Sequence, residues 1–536
     1  MTMMLDPAGA ARVRHRPVPS LPPTEELLVA GGDARLDIDP SSGTNRYFCS
    51  PSPVAALAAF GSATASIVSP TGFAAADRLR RRLLGAAERE VPSLTYAGEL
   101  DRLRRELAEL CGLSDLSGLT MVFAASGTDL HLFAARLAGT GPAPRAIAPL
   151  AIMVEAAETG SGVPAALAGR HFSTTTAFGH KVVSGTAIDG TPPDVAPMDV
   201  VAVASRDADG RLRPASLVDA EIASLAGDAA AAGRRVLVTL VDVSKTGLIA
   251  PSPAAALALR DRLPGRVELL VDACQFRLAP ATLRAYLERG CMVALTGSKF
   301  VTGPAFSGVL LIPAALTERF RDIPLSPGFA HYSSRAEWPL GWAAGQSLGD
   351  AANYGLLLRW EAALAELRAF RRIAAPATDA FLGVFAQAVQ ARLASDPAFE
   401  PLESRPLERG LDASPAGWDR HPTIFPFLLR GRRVGGGTVP LDRAQTEGVY
   451  RALAINAVAA LDRIGDPARI VAALRCQLGQ PVPCGRSAGI ELSALRLCAS
   501  ARLVVEAESQ GAGAVIRRAM AALDKVALLA RLQTAQ

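Results

Sequence analysis

The feature that most constrains the fold is a pattern in residues 119–313, where short apolar runs alternate with helix-like stretches. The runs are LTMVFAAS, AIAPLAIMV, DVVAVAS, RVLVTLVDV, VELLVDA, MVALTG and GVLLIP. Such runs are typical of strands that are buried on both faces, and the stretches between them are long enough for crossover helices. The region therefore predicts a mostly parallel sheet of the seven-stranded type, covered by helices on both faces.

The remainder of the chain is arranged around this region. We predict a flexible N-terminal arm over 1–25, an N-terminal segment with helices over 26–118, a large domain over 119–350, and a linking helix with a small domain over 351–536. The small domain has its own strands, HPTIFPFLLR and SALRLCA, and a last helix, VIRRAMAALDKVALLARL. The predicted fold class is α/β with a smaller α/β C-terminal domain. A polar stretch over 386–420 is predicted to be an insertion, without an assigned role.

Composition excludes several classes of function. The chain carries 56 basic and 51 acidic residues, and its arginines are scattered, so a nucleic-acid partner is not expected. Neither a long uninterrupted apolar run nor a secretory leader is present, so a membrane span is not expected. The seven cysteines are odd in number and lack CxxC spacing, and the six histidines are dispersed. This pattern predicts a reducing, cytoplasmic location and no metal site.

Polar residues follow several of the apolar runs, at the carboxyl ends where ligands bind in parallel sheets. Ser126-Gly127-Thr128-Asp129 follows the first run and opens a helix, which predicts a phosphate site made of backbone N–H groups. A simple helix cap is the alternative for this turn. Ser244-Lys245-Thr246-Gly247 follows the fourth run, and it is equally consistent with a cofactor contact and with an ordinary strand-to-helix turn.

Two further strand ends carry ionisable side chains. Asp272 ends a buried strand, where a carboxylate is costly unless it meets a cation or hydrogen-bond donors. Lys299 follows the next strand among small and apolar residues, where burial lowers the pKa of a lysine and favours a reactive amine. A helix cap or structural ion pair is the alternative for Asp272, and a surface loop is the alternative for Lys299.

Taken together, these segments resemble a known family. VDACQ at 271–275, TGSKFVTGPAFSGVLLIP at 296–313, AASGTDLHLF at 124–133 and ALRLCASARLV at 494–504 are similar to motifs of fold-type I enzymes that use pyridoxal 5′-phosphate (PLP). The similar group is that of class V aminotransferases, which includes cysteine desulfurases and kynureninase. The resemblance implies the PLP-dependent transferase fold, a homodimer and an amino-acid-like substrate.

The resemblance also implies roles for individual residues. Lys299 would form the Schiff base and move the Cα proton, and Asp272 would hold the pyridine nitrogen. Arg496 would bind the substrate carboxylate, and Arg46, in an arm that often closes over the substrate in this fold, is a further substrate candidate. The remaining cofactor-binding candidates are Ser126, Gly127, Thr128, Thr159, Ser244, Gln275, Thr296 and Ser298.

The chain departs from the family pattern in the loop over 154–162. This loop contains no histidine to stack on the cofactor ring, so Glu158 or Thr159 is expected nearest the ring. His131 is predicted to be structural. Cys476 and Cys484 are expected in a stiff turn rich in glycine and proline, and neither is expected to act as a nucleophile.

The sequence thus predicts a PLP-dependent aminotransferase. A PLP-dependent lyase that cleaves at Cβ, similar to the desulfurases or to kynureninase, is the first alternative. A protein that binds PLP without turnover is the alternative from another class.

Overall fold

The structure is a computed structural model that describes residues 20–87, 90–140, 147–190, 197–411, 417–433, 436–458, 466–487 and 489–535. The predicted arm and the predicted insertion lie partly outside these ranges, at 1–19 and 412–416 respectively. Within the described ranges, no helix combines the length and the apolar character that a membrane crossing needs.

The N-terminal segment consists mainly of helices. Its elements are α1 (Thr24–Val29), a 3-10 turn (Ala34–Leu36), β1 (Leu57–Phe60), α2 (Pro70–Ala87) and α3 (Pro92–Leu110). Proline stands at the first position of α3, where its missing N–H costs no helical hydrogen bond. Both long helices turn a stripe of leucines inward, so this segment packs onto the rest of the molecule.

The central region alternates strands and helices as predicted. Its strands are β2 (Thr120–Ala124), β3 (Leu150–Val154), β4 (Asp199–Val203), β5 (Val236–Asp242), β6 (Ile249–Ala250), β7 (Val267–Ala273), β8 (Met292–Thr296) and β9 (Gly308–Ile312). Its helices are α4 (Gly127–Gly139), α5 (Val163–Leu167), α6 (Ala215–Ala231), α7 (Pro253–Arg262), α8 (Pro280–Glu288), α9 (Ala314–Phe320) and α10 (Ala343–Gln346). Most of the strands are buried along their whole length, as strands covered on both faces must be.

The sheet has the order β2-β9-β8-β7-β5-β3-β4, with the short β6 paired to β5. β4, β3, β5, β7 and β8 are mutually parallel, whereas β9 is antiparallel to both β2 and β8. The predicted α/β class with a mostly parallel sheet is therefore confirmed. The register places Asp272 beside Val241 on one side and Ala294 on the other, near the carboxyl end of the sheet.

The C-terminal region begins with the predicted linking helix and forms a second sheet. Its helices are α11 (Tyr354–Arg371), α12 (Ala375–Ser395), α13 (Arg443–Leu453), α14 (Asp466–Ala473), α15 (Ala501–Gln510) and α16 (Ala512–Leu532). Its strands are β10 (Phe399–Pro401), β11 (Ile424–Arg433), β12 (Thr438–Pro440), β13 (Arg475–Ser487), β14 (Ile490–Cys498) and β15 (Thr534–Ala535).

The second sheet also includes part of the N-terminal segment. Its order is β1-β13-β14-β11-β10, and β12 and β15 attach to β11. β1 pairs in parallel with β13, so Leu57 lies opposite Arg475. The N-terminal segment therefore contributes an edge strand to the second sheet, a long-range pairing that local sequence patterns do not reveal.

The stretch that carries Cys476 and Cys484 was expected to be a stiff turn, but it forms the long strand β13. Its pairing with β14 shifts register between Gly479 and Val482 and again between Pro483 and Arg486. Proline lacks the N–H that a regular ladder needs, so a strand with two prolines accommodates them at such irregularities.

Candidate functional site

A cavity of about 240 Å³ lies at the carboxyl ends of the central strands. Its wall combines the turn before α4, the ends of β7 and β8, the arm between α1 and β1, and the irregular part of β13. Ten of the predicted site residues line it: Arg46, Ser126, Gly127, Thr128, Thr159, Asp272, Thr296, Ser298, Lys299 and, from β14, Arg496. Most of the predicted site is thus brought together in one place.

The turn before α4 has the form of an anion-binding helix N-terminus. The Ser126 hydroxyl accepts hydrogen bonds from the backbone N–H groups of Thr128 (3.2 Å) and Asp129 (3.4 Å). Asp129 returns the contact by accepting the Ser126 N–H at 2.9 Å, which completes a capping box. A Cβ atom on Gly127 would stand 2.8 Å from the Cys274 sulfur, so the turn has no room for a side chain there.

Arg35 is a residue of this site that the sequence analysis missed. Its guanidinium donates to the hydroxyls of Ser126 and Thr128, at 3.2 Å each. An ion pair with Asp33 at 2.6 Å holds it in place, and its guanidinium carbon lies 4.8 Å from the ring centroid of Phe306. Arg35 stands in a short 3-10 turn about ninety positions before α4, and no local pattern marks it.

Asp272 ends β7 inside the cavity and is held as a carboxylate. Burial alone raises its pKa, but attraction from His131 and Lys299 outweighs burial and lowers the pKa well below the ordinary value. Its Oδ1 accepts the backbone N–H of Cys274 at 3.1 Å, and its Oδ2 lies 3.3 Å from Nε2 of His131. His131, which was expected to be structural, therefore lines the cavity and contacts the predicted catalytic carboxylate.

Lys299 follows β8 and is partly buried at the floor of the cavity. Burial lowers the pKa of its amine, and the positive charges of Arg496 and Arg277 act in the same direction, against the opposing effect of Asp272. A lowered pKa increases the fraction of neutral amine near pH 7, which is the nucleophilic form. The neighbouring turn is held by Thr296, whose hydroxyl donates to the Cys274 carbonyl at 2.6 Å.

Arg496 enters the cavity from the regular strand β14, as predicted. Its Nη2 donates to the Gln480 carbonyl (2.6 Å) and to the Thr64 hydroxyl (2.8 Å), and its Nη1 donates to the Lys245 carbonyl (3.3 Å). All of these acceptors are neutral, so they orient the guanidinium without cancelling its charge. An arginine fixed in this way can bind a carboxylate.

Two predicted cofactor residues lie elsewhere. Gln275 is buried outside the described cavity lining, where its amide donates to the Ala63 carbonyl at 3.0 Å. The Ser244 hydroxyl donates to Glu158 at 2.7 Å. Glu158 also accepts from the Thr246 hydroxyl and lies 3.4 Å from Arg206, so it is held away from the cavity while its neighbour Thr159 lines it.

The cavity is also lined by residues that were not among the predicted site residues. Lys245 lines it, as do Gln480 and Pro481 from the irregular part of β13. Cys476 and Cys484 are both buried and are not among the described lining residues, and burial raises the pKa of their thiols to about 12 and about 11. Thiols in this condition are poor nucleophiles.

Comparisons with known proteins give distant matches only. No protein-family profile and no curated protein matches the chain. The cystine C-S lyase C-DES, in complex with its reaction product cysteine persulfide, is 14% identical over 87% of this chain and 98% of its own, with a TM-score of 0.48. The cysteine desulfurase CsdA from Escherichia coli is 14% identical over 88% of this chain and 95% of its own, also with a TM-score of 0.48. TDC from Oryza sativa, with PLP and tryptamine, is 14% identical over 86% of this chain and 83% of its own, with a TM-score of 0.43. Each is a distant similarity in chain trace, at an identity too low to carry residue roles across.

Proposed function

We propose that this chain is a PLP-dependent enzyme of fold type I that acts on an amino-acid substrate, and that its reaction is a transamination. The observation that carries the proposal is the convergence of Lys299, Asp272, the Ser126 turn and Arg496 on one cavity. Each group matches a different part of PLP or of an amino acid. We place the enzyme in the cytoplasm as a homodimer, in line with the family that the sequence resembles.

The residues fit the cofactor by their chemistry. A phosphate needs N–H donors and a cation, which the N-terminus of α4 and Arg35 supply. A protonated pyridine nitrogen needs a carboxylate, and Asp272 remains ionised although it is buried. The aldehyde reacts with a neutral amine, and burial, which lowers the pKa of Lys299, favours that form. Gly127 packs closely against Cys274 and Thr296, so a side chain at this position would disturb the turn that presents these N–H groups.

PLP, when bound, withdraws electrons from the substrate Cα and so makes its proton removable. The chain's own groups then determine which bond reacts. Arg496 would bind the α-carboxylate and fix the orientation of the substrate. The Lys299 amine would take the proton from Cα and deliver it to the carbon of the cofactor's aldehyde group, because a proton returned to Cα would leave the amino group on the substrate. Asp272, supported by His131, keeps its negative charge toward the ring nitrogen throughout.

The nature of the thiols favours transamination over a desulfurase-like reaction. A persulfide-forming lyase needs an accessible cysteine of lowered pKa, whereas Cys476 and Cys484 are buried with raised pKa values. Cys274 does line the cavity, but burial raises the pKa of its thiol well above the ordinary value. No described thiol is therefore suited to attack a substrate sulfur.

Two measurements test the proposal. Purified protein incubated with PLP should show the absorbance of bound cofactor, and a protein without that absorbance would contradict the assignment. Product analysis with a panel of amino acids, with and without 2-oxo acids, should show amino-group transfer that depends on the 2-oxo acid. Release of ammonia, sulfide or a cleaved side chain without that dependence would show a lyase instead.

A further inference from the structure

The end of the cavity that contains Arg496 carries more positive charge than one substrate carboxylate needs. Three cationic residues that line the cavity, Arg46, Lys245 and Arg496, are connected to one another through backbone contacts, and we call them the cation cluster. Gln480 links two of them, since its carbonyl accepts from Arg496 at 2.6 Å and its side-chain amide donates to the Arg46 carbonyl at 2.8 Å. Arg496 in turn donates to the Lys245 carbonyl at 3.3 Å.

The charges of the cation cluster are not balanced within the described part of the chain. No ion pair there joins a carboxylate to any of the three, and the Lys245 amine donates to the neutral Ala156 carbonyl at 3.2 Å. Glu158, a nearby acid, is already engaged by Arg206, Ser244 and Thr246. At the other end of the cavity, by contrast, Arg35 has its own partner in Asp33.

Lys245 stands out further because lysine is rare in this protein. The chain has four lysines, at 181, 245, 299 and 525, among its 56 basic residues, and two of the four line this cavity. Burial, together with the charges of Arg496 and Lys299, lowers the pKa of Lys245 to about 7. An anion bound beside it would offset that repulsion and favour the protonated amine.

We infer that the substrate is an amino acid whose side chain carries a second acidic group, with Arg496 binding the α-carboxylate and Lys245 and Arg46 binding the second acid. This inference rests on the proposed function, because it takes the phosphate end and Lys299 as occupied by the cofactor. A neutral side chain would leave two cations facing the substrate without a counter-charge, whereas a second acid pairs with them.

The test compares substrates that differ only in charge. We would load the protein with PLP and measure kcat/KM and calorimetric Kd for aspartate against asparagine and for glutamate against glutamine. At least one acid should exceed its amide by about tenfold or more in kcat/KM, the range that a charge pair in a closed site provides. Binding of that acid should also take up protons near pH 7, seen as a heat that varies with the ionisation enthalpy of the buffer.

Variants locate the effect within the cavity. Lys245→Gln and Arg46→Gln should each reduce the preference for the acid by about tenfold through KM, and Lys245→Arg should keep most of it. Arg46 is exposed, so its variant does not disturb the core. Lys181→Gln removes the same charge from an exposed lysine outside the cavity lining and should leave the preference unchanged.

The outcomes separate this inference from the proposed function. Turnover of amides as efficiently as acids by the PLP-loaded protein would overturn the inference and leave the proposed function intact. The inference would also be overturned if Lys245→Gln lowered kcat equally for acid and amide and left the Kd values unchanged. Lys245 would then transfer a proton and would not bind the side-chain acid. A protein that does not bind PLP would overturn both.

Discussion

Nε2 of His131 lies 3.3 Å from Oδ2 of Asp272, while Nδ1 of the same ring lies 2.7 Å from the carbonyl oxygen of Gly127. One side chain on α4 therefore connects the turn at Ser126-Gly127 with the carboxylate at the end of β7. The contact lowers the pKa of Asp272 and, against the opposing effect of burial, raises the pKa of His131. We assign His131 as a positioning residue for Asp272.

The pair predicts a pH-dependent stability of the cofactor-free protein. Because the pKa of His131 is raised on folding, its contribution to the free energy of unfolding is complete below about pH 6.5. That contribution is lost as pH rises through the folded-state pKa. Because the pKa of Asp272 is lowered on folding, its contribution to the free energy of unfolding is present above about pH 4. That contribution is lost as pH falls through the folded-state pKa. The free energy of unfolding should thus decline as pH rises above about 6.5, by at most about 1.4 kcal/mol per pH unit from His131.

Urea denaturation at a series of values from about pH 5 to about pH 9 would measure this decline. His131→Gln should remove it, since glutamine keeps a polar side chain but does not titrate. His421→Gln is the matched control, because His421 contacts Asp379 at 3.0 Å at a more exposed site outside the cavity lining. Equal pH slopes for the His131 variant and the parent protein would contradict the assignment.

Asp272→Asn should keep the cofactor but lose most of the activity. The amide has nearly the same shape and cannot hold a proton on the ring nitrogen by charge, so turnover should fall by about a hundredfold or more, roughly 2.7 kcal/mol in activation free energy. The measurement is kcat together with the absorbance of bound cofactor. Turnover near that of the parent enzyme would rule out the role of Asp272 at the ring nitrogen.

Lys299 should be the residue that carries the cofactor. Borohydride reduction of the PLP-loaded protein followed by peptide mapping should find the label on Lys299, whose amine has a lowered pKa inside the cavity. The chain's second cavity lysine, Lys245, is an internal control in the same digest. A label on Lys245 or on Lys181 would overturn the assignment.

Arg35→Gln should weaken cofactor binding more than catalysis. The variant removes a charged donor from the hydroxyls of Ser126 and Thr128, so the Kd for PLP should rise by about tenfold, near 1.4 kcal/mol. Equilibrium dialysis against PLP would measure it, with Arg211→Gln, at an exposed position, as the control. An unchanged Kd for PLP would show that Arg35 only supports the fold of the arm.

Replacing either C-terminal cysteine should have little effect on catalysis. Cys476→Ser and Cys484→Ser should each leave turnover within about threefold, or about 0.7 kcal/mol, because neither thiol lines the cavity or has a lowered pKa. Steady-state assays of both variants, with cofactor absorbance as the control for folding, provide the measurement. Loss of activity with intact absorbance would replace the transaminase proposal by a desulfurase-like lyase.

The sequence by itself determined the central strands and one side of the cavity. The apolar runs of 119–313 became the central strands, because a strand buried on both faces leaves a local pattern. Ser126, Asp272 and Lys299 could be located for the same reason: each stands at or just after the end of such a run, and the carboxyl ends of parallel strands meet at one edge.

Only the tertiary structure decided the other side of the cavity. Arg35 reaches Ser126 from more than ninety positions away, and Arg496 donates to the Gln480 carbonyl where β13 shifts its register against β14. Gln275 has a suitable place in the sequence, but its amide is engaged by Ala63 from the N-terminal segment. Such contacts join parts of the chain that are distant in sequence, so they depend on how the two sheets pack and leave no local signal.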